Sequence, residues 1–164
     1  MDQSFPLRVL VLDDDVAMCD LLRFNIESRF PSALVECRNK PDPTGDFDVY
    51  LLDNDFEGKR EIGRLIQLIR SRRPQALVVA FSAVLDAPTL KTLLNQGCDA
   101  ACDKTVPTDL VTAMNVIERF RQTQSQRGKP GFVQTINSLA DLLRQWNRRM
   151  TLNQEVAAHS VLGR

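Results

Sequence analysis

The chain has 164 residues, with 21 Lys plus Arg, 21 Asp plus Glu and one histidine, so it carries no net charge. That length suits one domain with an extension and a core of ordinary size. No apolar run approaches the roughly 20 residues of a membrane helix, and the apolar stretch between Asp2 and Arg8 is too short for a signal peptide. A cytoplasmic protein is expected, with Cys19, Cys37, Cys98 and Cys102 reduced. Cys98 and Cys102 have C-x3-C spacing, but without a second cysteine pair, and with His159 remote, they read as small buried apolar residues and not as zinc ligands.

In chain order, a first strand is predicted at about Leu7–Leu12. A helix from Val16 to Phe30 follows, placing Met18, Leu21, Leu22, Ile26 and Phe30 on one face, with Asp15 as N-cap and Pro31 as stop. Ala33–Cys37 is a second strand. Residues 39–47 are dense in Pro, Gly and Asp, and Pro41 and Pro43 make a regular helix unfavourable, so the second crossover is predicted to be a loop. Asp48–Asp53 is the third strand; the next helix carries Ile62, Leu65, Ile66 and Ile69 and stops before Pro74. Ala76–Ser82 is the fourth strand, Pro88–Gln96 a short helix ended by Gly97, and Ala100–Lys104 the fifth strand. Thr108 is predicted to cap a helix carrying Leu110, Val111, Met114, Ile117 and Phe120. Strands alternating with helices imply right-handed βαβ units. The predicted fold is α/β, a flavodoxin-like doubly wound five-stranded parallel sheet of order 2-1-3-4-5, with a C-terminal helical extension.

In that order the first, third, fourth and fifth strands are neighbours. They end in Asp13-Asp14-Asp15, Asp53, Ser82 and Lys104. Ligands in open parallel sheets bind at the strands' carboxyl ends, so these residues are expected to share one crevice. Crowded carboxylates repel one another unless a cation neutralises them, and hard oxygen ligands suit Mg²⁺. Helix capping explains Asp15 but not Asp13, Asp14 and a further acid on another strand. Asp53 has the chemistry to accept a phosphoryl group, Ser82 to donate a hydrogen bond to it, and Lys104 to pair with it.

Across about residues 5–122 the chain resembles the receiver domain of two-component response regulators. The V-L-V-L-D-D-D stretch, the L-L-D stretch ending at Asp53, F-S-A with Ser82 and Ala83, and G-C-D-A-A-C-D-K ending at Lys104 carry the resemblance. It implies that Asp13, Asp14, Asp53 and the backbone carbonyl of Asp55 hold Mg²⁺. It implies that Asp53 accepts phosphate from a sensor histidine kinase or a phosphotransfer protein, and that Ser82, Ala83 and Lys104 bind the phosphoryl group. Phosphorylation then reshapes the face made by the last strand and its flanking helices.

The chain departs from the family pattern in places. Phe56 and Glu57 stand where an apolar-Pro pair is common, and Thr105 replaces the usual proline after the lysine. Ala101 replaces the switch aromatic of the output face. These changes predict intact phosphoacceptor chemistry with an altered output. Asp55 and Val84, two residues beyond Asp53 and Ser82, are candidates for setting the lifetime of the phosphate.

The two parts of the chain differ in charge: residues 1–120 carry a net −5 and residues 121–164 a net +5. After the breaker Gly128–Gly131, Phe132, Ile136, Leu139, Leu143 and Trp146 form a narrow apolar seam at helical spacing. Residues 123–164 are therefore expected to be a basic helical extension that packs on the receiver, self-associates or docks a downstream protein. It is too short for the usual helical DNA-reading domain, so direct sequence-specific DNA binding is not expected, and without a long apolar run neither is membrane association. His159 is expected to be a tail histidine and not a phosphotransfer group. Two alternatives compete with a phosphorylated, non-enzymatic receiver. One is a pseudo-receiver, an interaction module without phosphate control, favoured by Ala101 and Thr105. The other is a haloacid-dehalogenase-type phosphatase, suggested by Asp53-Asn54-Asp55 but opposed by the order of its acid pair and lysine.

Overall fold

A computed structural model describes residues 6–83, 85 and 87–126. The predicted seam Phe132–Trp146, His159 and Val84 lie outside the described residues. Five parallel strands form the sheet: β1 (Arg8–Leu12), β2 (Leu34–Arg38), β3 (Val49–Leu52), β6 (Leu77–Ser82) and β7 (Ala100–Asp103). Their order is β2-β1-β3-β6-β7, the predicted flavodoxin-like arrangement. A separate two-stranded ribbon, β4 (Asp55–Phe56) and β5 (Lys59–Arg60), follows β3. The helices are α1 (Val16–Arg29), α2 (Ile62–Arg72), α3 (Ala87–Asn95) and α4 (Pro107–Gln126). None of the described helices is long and apolar enough to cross a membrane.

The central strands are apolar on both faces because helices cover both. Val9–Leu12, Val49–Leu52 and Leu77–Ser82 are buried throughout. Register places Leu12 beside Leu52, Leu52 beside Ala80 and Ala80 beside Ala101. All the ends of β1, β3, β6 and β7 therefore fall at one edge.

Two helices bury a stripe slightly rotated from the predicted one. In α1 the buried stripe is Cys19, Leu22 and Ile26, continued by Phe30, while Leu21 stays 45% exposed. Cys19 acts here as a small apolar residue, which a count of large aliphatics overlooks. In α4 the stripe is Ala113, Met114, Val116, Ile117 and Phe120, and Val111 is exposed. The helix starts at Pro107, so Thr108 lies inside its first turn instead of capping it; proline suits that position because its missing N–H has no helical partner there. Asp15 caps α1 as predicted, its Oδ1 accepting from Ala17 N at 2.9 Å and Met18 N at 3.3 Å.

The second crossover contains no helix. Phe47, 3% exposed, instead packs edge-on against Tyr50 at 5.8 Å, with the Arg8 and Arg38 guanidiniums 5.3 and 5.6 Å from its ring centre. Arg38 also ties the loop down by donating to the carbonyls of Asp42 (2.9 Å) and Thr44 (2.7 Å). Gly45 must be glycine: its φ is +111°, and a Cβ there would lie 2.7 Å from the Phe47 ring.

Candidate functional site: an acidic crevice bridged by a lysine

The three successive acids after β1 do three different jobs. Asp13 points inward and is 1% exposed; its Oδ1 accepts from Asp15 N at 3.0 Å. Asp14 is exposed and its Oδ2 accepts from Glu57 N at 3.1 Å. Asp15 caps the helix. Asp53, at the end of β3, is 7% exposed, and its Oδ1 accepts from Asn54 N at 2.6 Å. One carboxylate oxygen from each of Asp13, Asp14 and Asp53 lies within 4.8 Å of the others, an arrangement able to hold a cation.

Lys104 enters this cluster from the end of β7. Its Nζ lies 2.5 Å from Asp13 Oδ2 and 2.8 Å from Asp53 Oδ2. The adjacent strand end is joined by backbone, Lys104 N donating to Ser82 O at 3.2 Å, and Ser82 is buried. Ala83 follows it at the surface. Burial pushes the Asp13 carboxyl above its ordinary value, outweighing the lysine's opposing effect. Burial also works against the charge on Lys104, but its hydrogen bonds to Asp13 and Asp53 prevail and hold the ammonium above the ordinary lysine value. The lysine thus supplies a positive charge that partly offsets carboxylate repulsion.

The residues after Asp53 form a feature the periodicity did not reveal. Glu57 (φ +53°) and Gly58 (φ +79°) make a two-residue turn between β4 and β5, pairing Asp55 with Arg60 and Phe56 with Lys59. Positive φ at both positions is the type I′ hairpin geometry. The Glu-Gly pair occupies the place where Asn-Gly is the familiar signal, which is why the sequence hid it. The Asp55 carboxylate is spent on this turn, its Oδ1 accepting from Gly58 N at 2.7 Å. The hairpin in turn presents Glu57 N–H to Asp14, so the ribbon positions an acid of the cluster.

Thr105 is tied to the end of β7. Its N–H and Oγ1 both donate to Asp103 Oδ1, at 2.8 and 2.6 Å, while Asp103 N donates to Asp109 Oδ2 at 2.9 Å. Asp103 and Asp109 were not singled out in the sequence, although an Asp two residues before a Thr is a recognisable Asx-turn signal. No cis peptide bond occurs among the described residues. Ala101 is 1% exposed within β7, so this position offers no ring to rotate.

No protein-family model matches the chain, and no curated protein matches it. Solved structures do. The BeF3-activated DrrB receiver domain aligns with a TM-score of 0.62 at 16% identity, covering 71% of this chain and 98% of its own. A CheY-like response regulator receiver domain from Methanospirillum hungatei JF-1 aligns with a TM-score of 0.62 at 20% identity, covering 74% and 98%. The receiver domain of a DNA-binding response regulator from Colwellia psychrerythraea 34H gives 0.58 at 23% identity, covering 68% and 98%. Together with the sheet order, these likenesses show that the chain has the fold of response regulator receiver domains.

Proposed function

We propose that the chain is a receiver in two-component phosphorelay signalling, accepting a phosphoryl group on Asp53 and passing the signal on through protein contacts. The observation that carries this reading is Lys104 Nζ lying between Asp13 and Asp53 at 2.5 and 2.8 Å, in a cluster completed by Asp14. Nucleophile, cation ligands and phosphate-pairing amine then sit where three strands end. Asp13, Asp14, Asp53 and the Asp55 carbonyl would hold Mg²⁺, which when bound screens charge on the incoming phosphoryl oxygens. A phosphohistidine on a sensor kinase or phosphotransfer protein is the donor. An Asp53 carboxylate oxygen bonds to phosphorus, the N–P bond breaks, and the bond electrons return to the imidazole. Asn54 N–H orients Asp53 through its Oδ1. Lys104 transfers its ion pair from Asp53 to a phosphoryl oxygen, with the Ser82 hydroxyl and the small Ala83 beside it.

The output is read without an aromatic switch at Ala101, and through a β7–α4 loop clamped by Asp103 and Thr105. The extension at 123–164 is the candidate for self-association or for docking a downstream protein. The phosphatase alternative needs a second acid at the D-x-D motif to serve the reacting group, whereas Asp55 is engaged with Gly58. Beryllofluoride with Mg²⁺ tests the proposal: saturable binding seen by fluorine NMR, and lost in Asp53→Ala, is expected. A pseudo-receiver gives no bound signal in the native chain.

A further inference from the structure

Two of the four cysteines share a surface cavity and two do not. Cys98 and Cys102 lie in the core, and Cys98 Sγ donates to Ala100 O at 2.9 Å and Val78 O at 3.5 Å; burial pushes the Cys98 and Cys19 thiols alike up to about 12. Cys19 on α1 and Cys37 on β2 instead line a surface cavity of about 550 Å³, together with Val16, Arg23, Asn39 and Lys40. The helix-free second crossover begins at this cavity, where Asn39 and Lys40 leave β2.

We propose that Cys19 and Cys37 are a reversible, hydroperoxide-sensitive dithiol. Cys37 Sγ donates to the carbonyl oxygen of Cys19 at 3.6 Å, which brings the two residues into contact across α1 and β2. Each belongs to a regular element, Cys19 to α1 and Cys37 to β2, so the packing of the helix on the strand fixes their approach. Cys37 is the half-buried member and the one that an oxidant meets first. Burial raises its thiol, and the positive charge of Arg23 beside it opposes that effect without overcoming it. Arg23 Nε is itself buried with no hydrogen-bond partner among the described residues. The guanidinium therefore has donor capacity left for an anionic sulfur.

The chemistry balances with a hydroperoxide as the oxidant. Cys37 sulfur attacks one peroxide oxygen, the O–O bond breaks, and a sulfenic acid forms with release of one water. Cys19 sulfur then attacks Cys37 sulfur, the S–O bond breaks, and a second water leaves. Two thiols lose two hydrogens and two electrons; one hydrogen peroxide becomes two waters. The site adjoins the acidic crevice, since Cys19 Sγ donates to Asp13 O at 3.4 Å and that bond is lost on oxidation. The proposal does not depend on phosphorylation at Asp53.

The test is hydrogen peroxide treatment of the reduced full chain, followed by alkylation and peptide mapping. The expected product is a Cys19–Cys37 linked peptide two hydrogens lighter, reversed by dithiothreitol, formed while Cys98 and Cys102 remain alkylatable. In Cys19→Ser a Cys37 sulfenic acid should accumulate and be trapped by dimedone. In Cys37→Ser the linkage should vanish and peroxide consumption should slow at least roughly tenfold. Free Cys37 thiol persisting under peroxide that oxidises free cysteine would overturn the proposal. So would equal oxidation of all four cysteines in the native chain, or Cys37 linking to another molecule in place of Cys19. The mapping of the unsubstituted chain decides these outcomes even if a variant fails to fold.

Discussion

Replacing Lys104 with methionine keeps most of the side chain's bulk and removes its charge. The ammonium lies 2.5 and 2.8 Å from two carboxylates that are 1% and 7% exposed. At an effective dielectric constant near 20, each contact corresponds to about 6 kcal/mol of gross attraction. Most of that offsets the desolvation of the three groups. The net cost of removing one partner and stranding buried charge is about 3–5 kcal/mol. For a domain of this size that lowers Tm by about 10–20 °C. Urea unfolding in Mg²⁺-free buffer at pH 7 measures it. Two responses should accompany the loss. Asp13, already held above its ordinary value by burial, rises further without the lysine, and a raised carboxyl stabilises as pH falls; the deficit should therefore shrink in mild acid. Mg²⁺ at about 100 times its Kd adds about 2.7 kcal/mol to a chain that binds it. The variant, with no ammonium competing for Asp13 and Asp53, should bind it more tightly and so gain more at a given concentration, narrowing the gap. A variant within about 1 kcal/mol of the native chain without Mg²⁺ would refute the reasoning, because the lysine would then not be neutralising the cluster.

Other predictions follow from the same contacts. The Lys104 ammonium is held above its ordinary value of 10.5, so its contribution is complete at neutral pH and is lost as pH climbs from there through the higher folded value. The difference in unfolding free energy between the native chain and Lys104→Met should hold steady up to about pH 10 and begin to fall as pH passes the ordinary lysine value of 10.5. Phe47→Ala should cost about 3–5 kcal/mol in chemical denaturation, since the ring is the packed substitute for a crossover helix. Gly58→Val places a β-branched residue at φ +79° and should cost at least about 1–2 kcal/mol. Because the same turn presents Glu57 N–H to Asp14, calorimetry should also show weaker Mg²⁺ binding in that variant, by several fold. Asp103→Ala removes both acceptor contacts to Thr105 and should speed amide exchange at residues 104–106 while leaving the centre of the sheet protected.

The sheet was legible because buried parallel strands are written as short apolar runs with turn residues between them. Pro41 and Pro43 were enough to rule out a helix in the second crossover. They did not reveal that Phe47 fills its place, since a single aromatic in a polar loop has no periodicity to give it away. In the crevice, Asp13, Asp14, Asp53 and Lys104 were legible from strand ends alone, and the structure brings all four together. The hairpin after Asp53 was not, because its turn is Glu57-Gly58 and its strands are two residues each. Leu21 and Val111 were misplaced on the core faces of their helices for a simpler reason. Cys19 in α1 and Ala113 in α4 are small, yet they set the direction that each helix turns inward.

The most direct measurement is the intact mass of the chain after incubation with acetyl phosphate and Mg²⁺. Phosphoacceptor chemistry at Asp53 predicts a single phosphoryl adduct, labile to hydroxylamine, dependent on Mg²⁺ and absent from Asp53→Asn. An unmodified native chain, or an adduct that survives in Asp53→Asn, would contradict it.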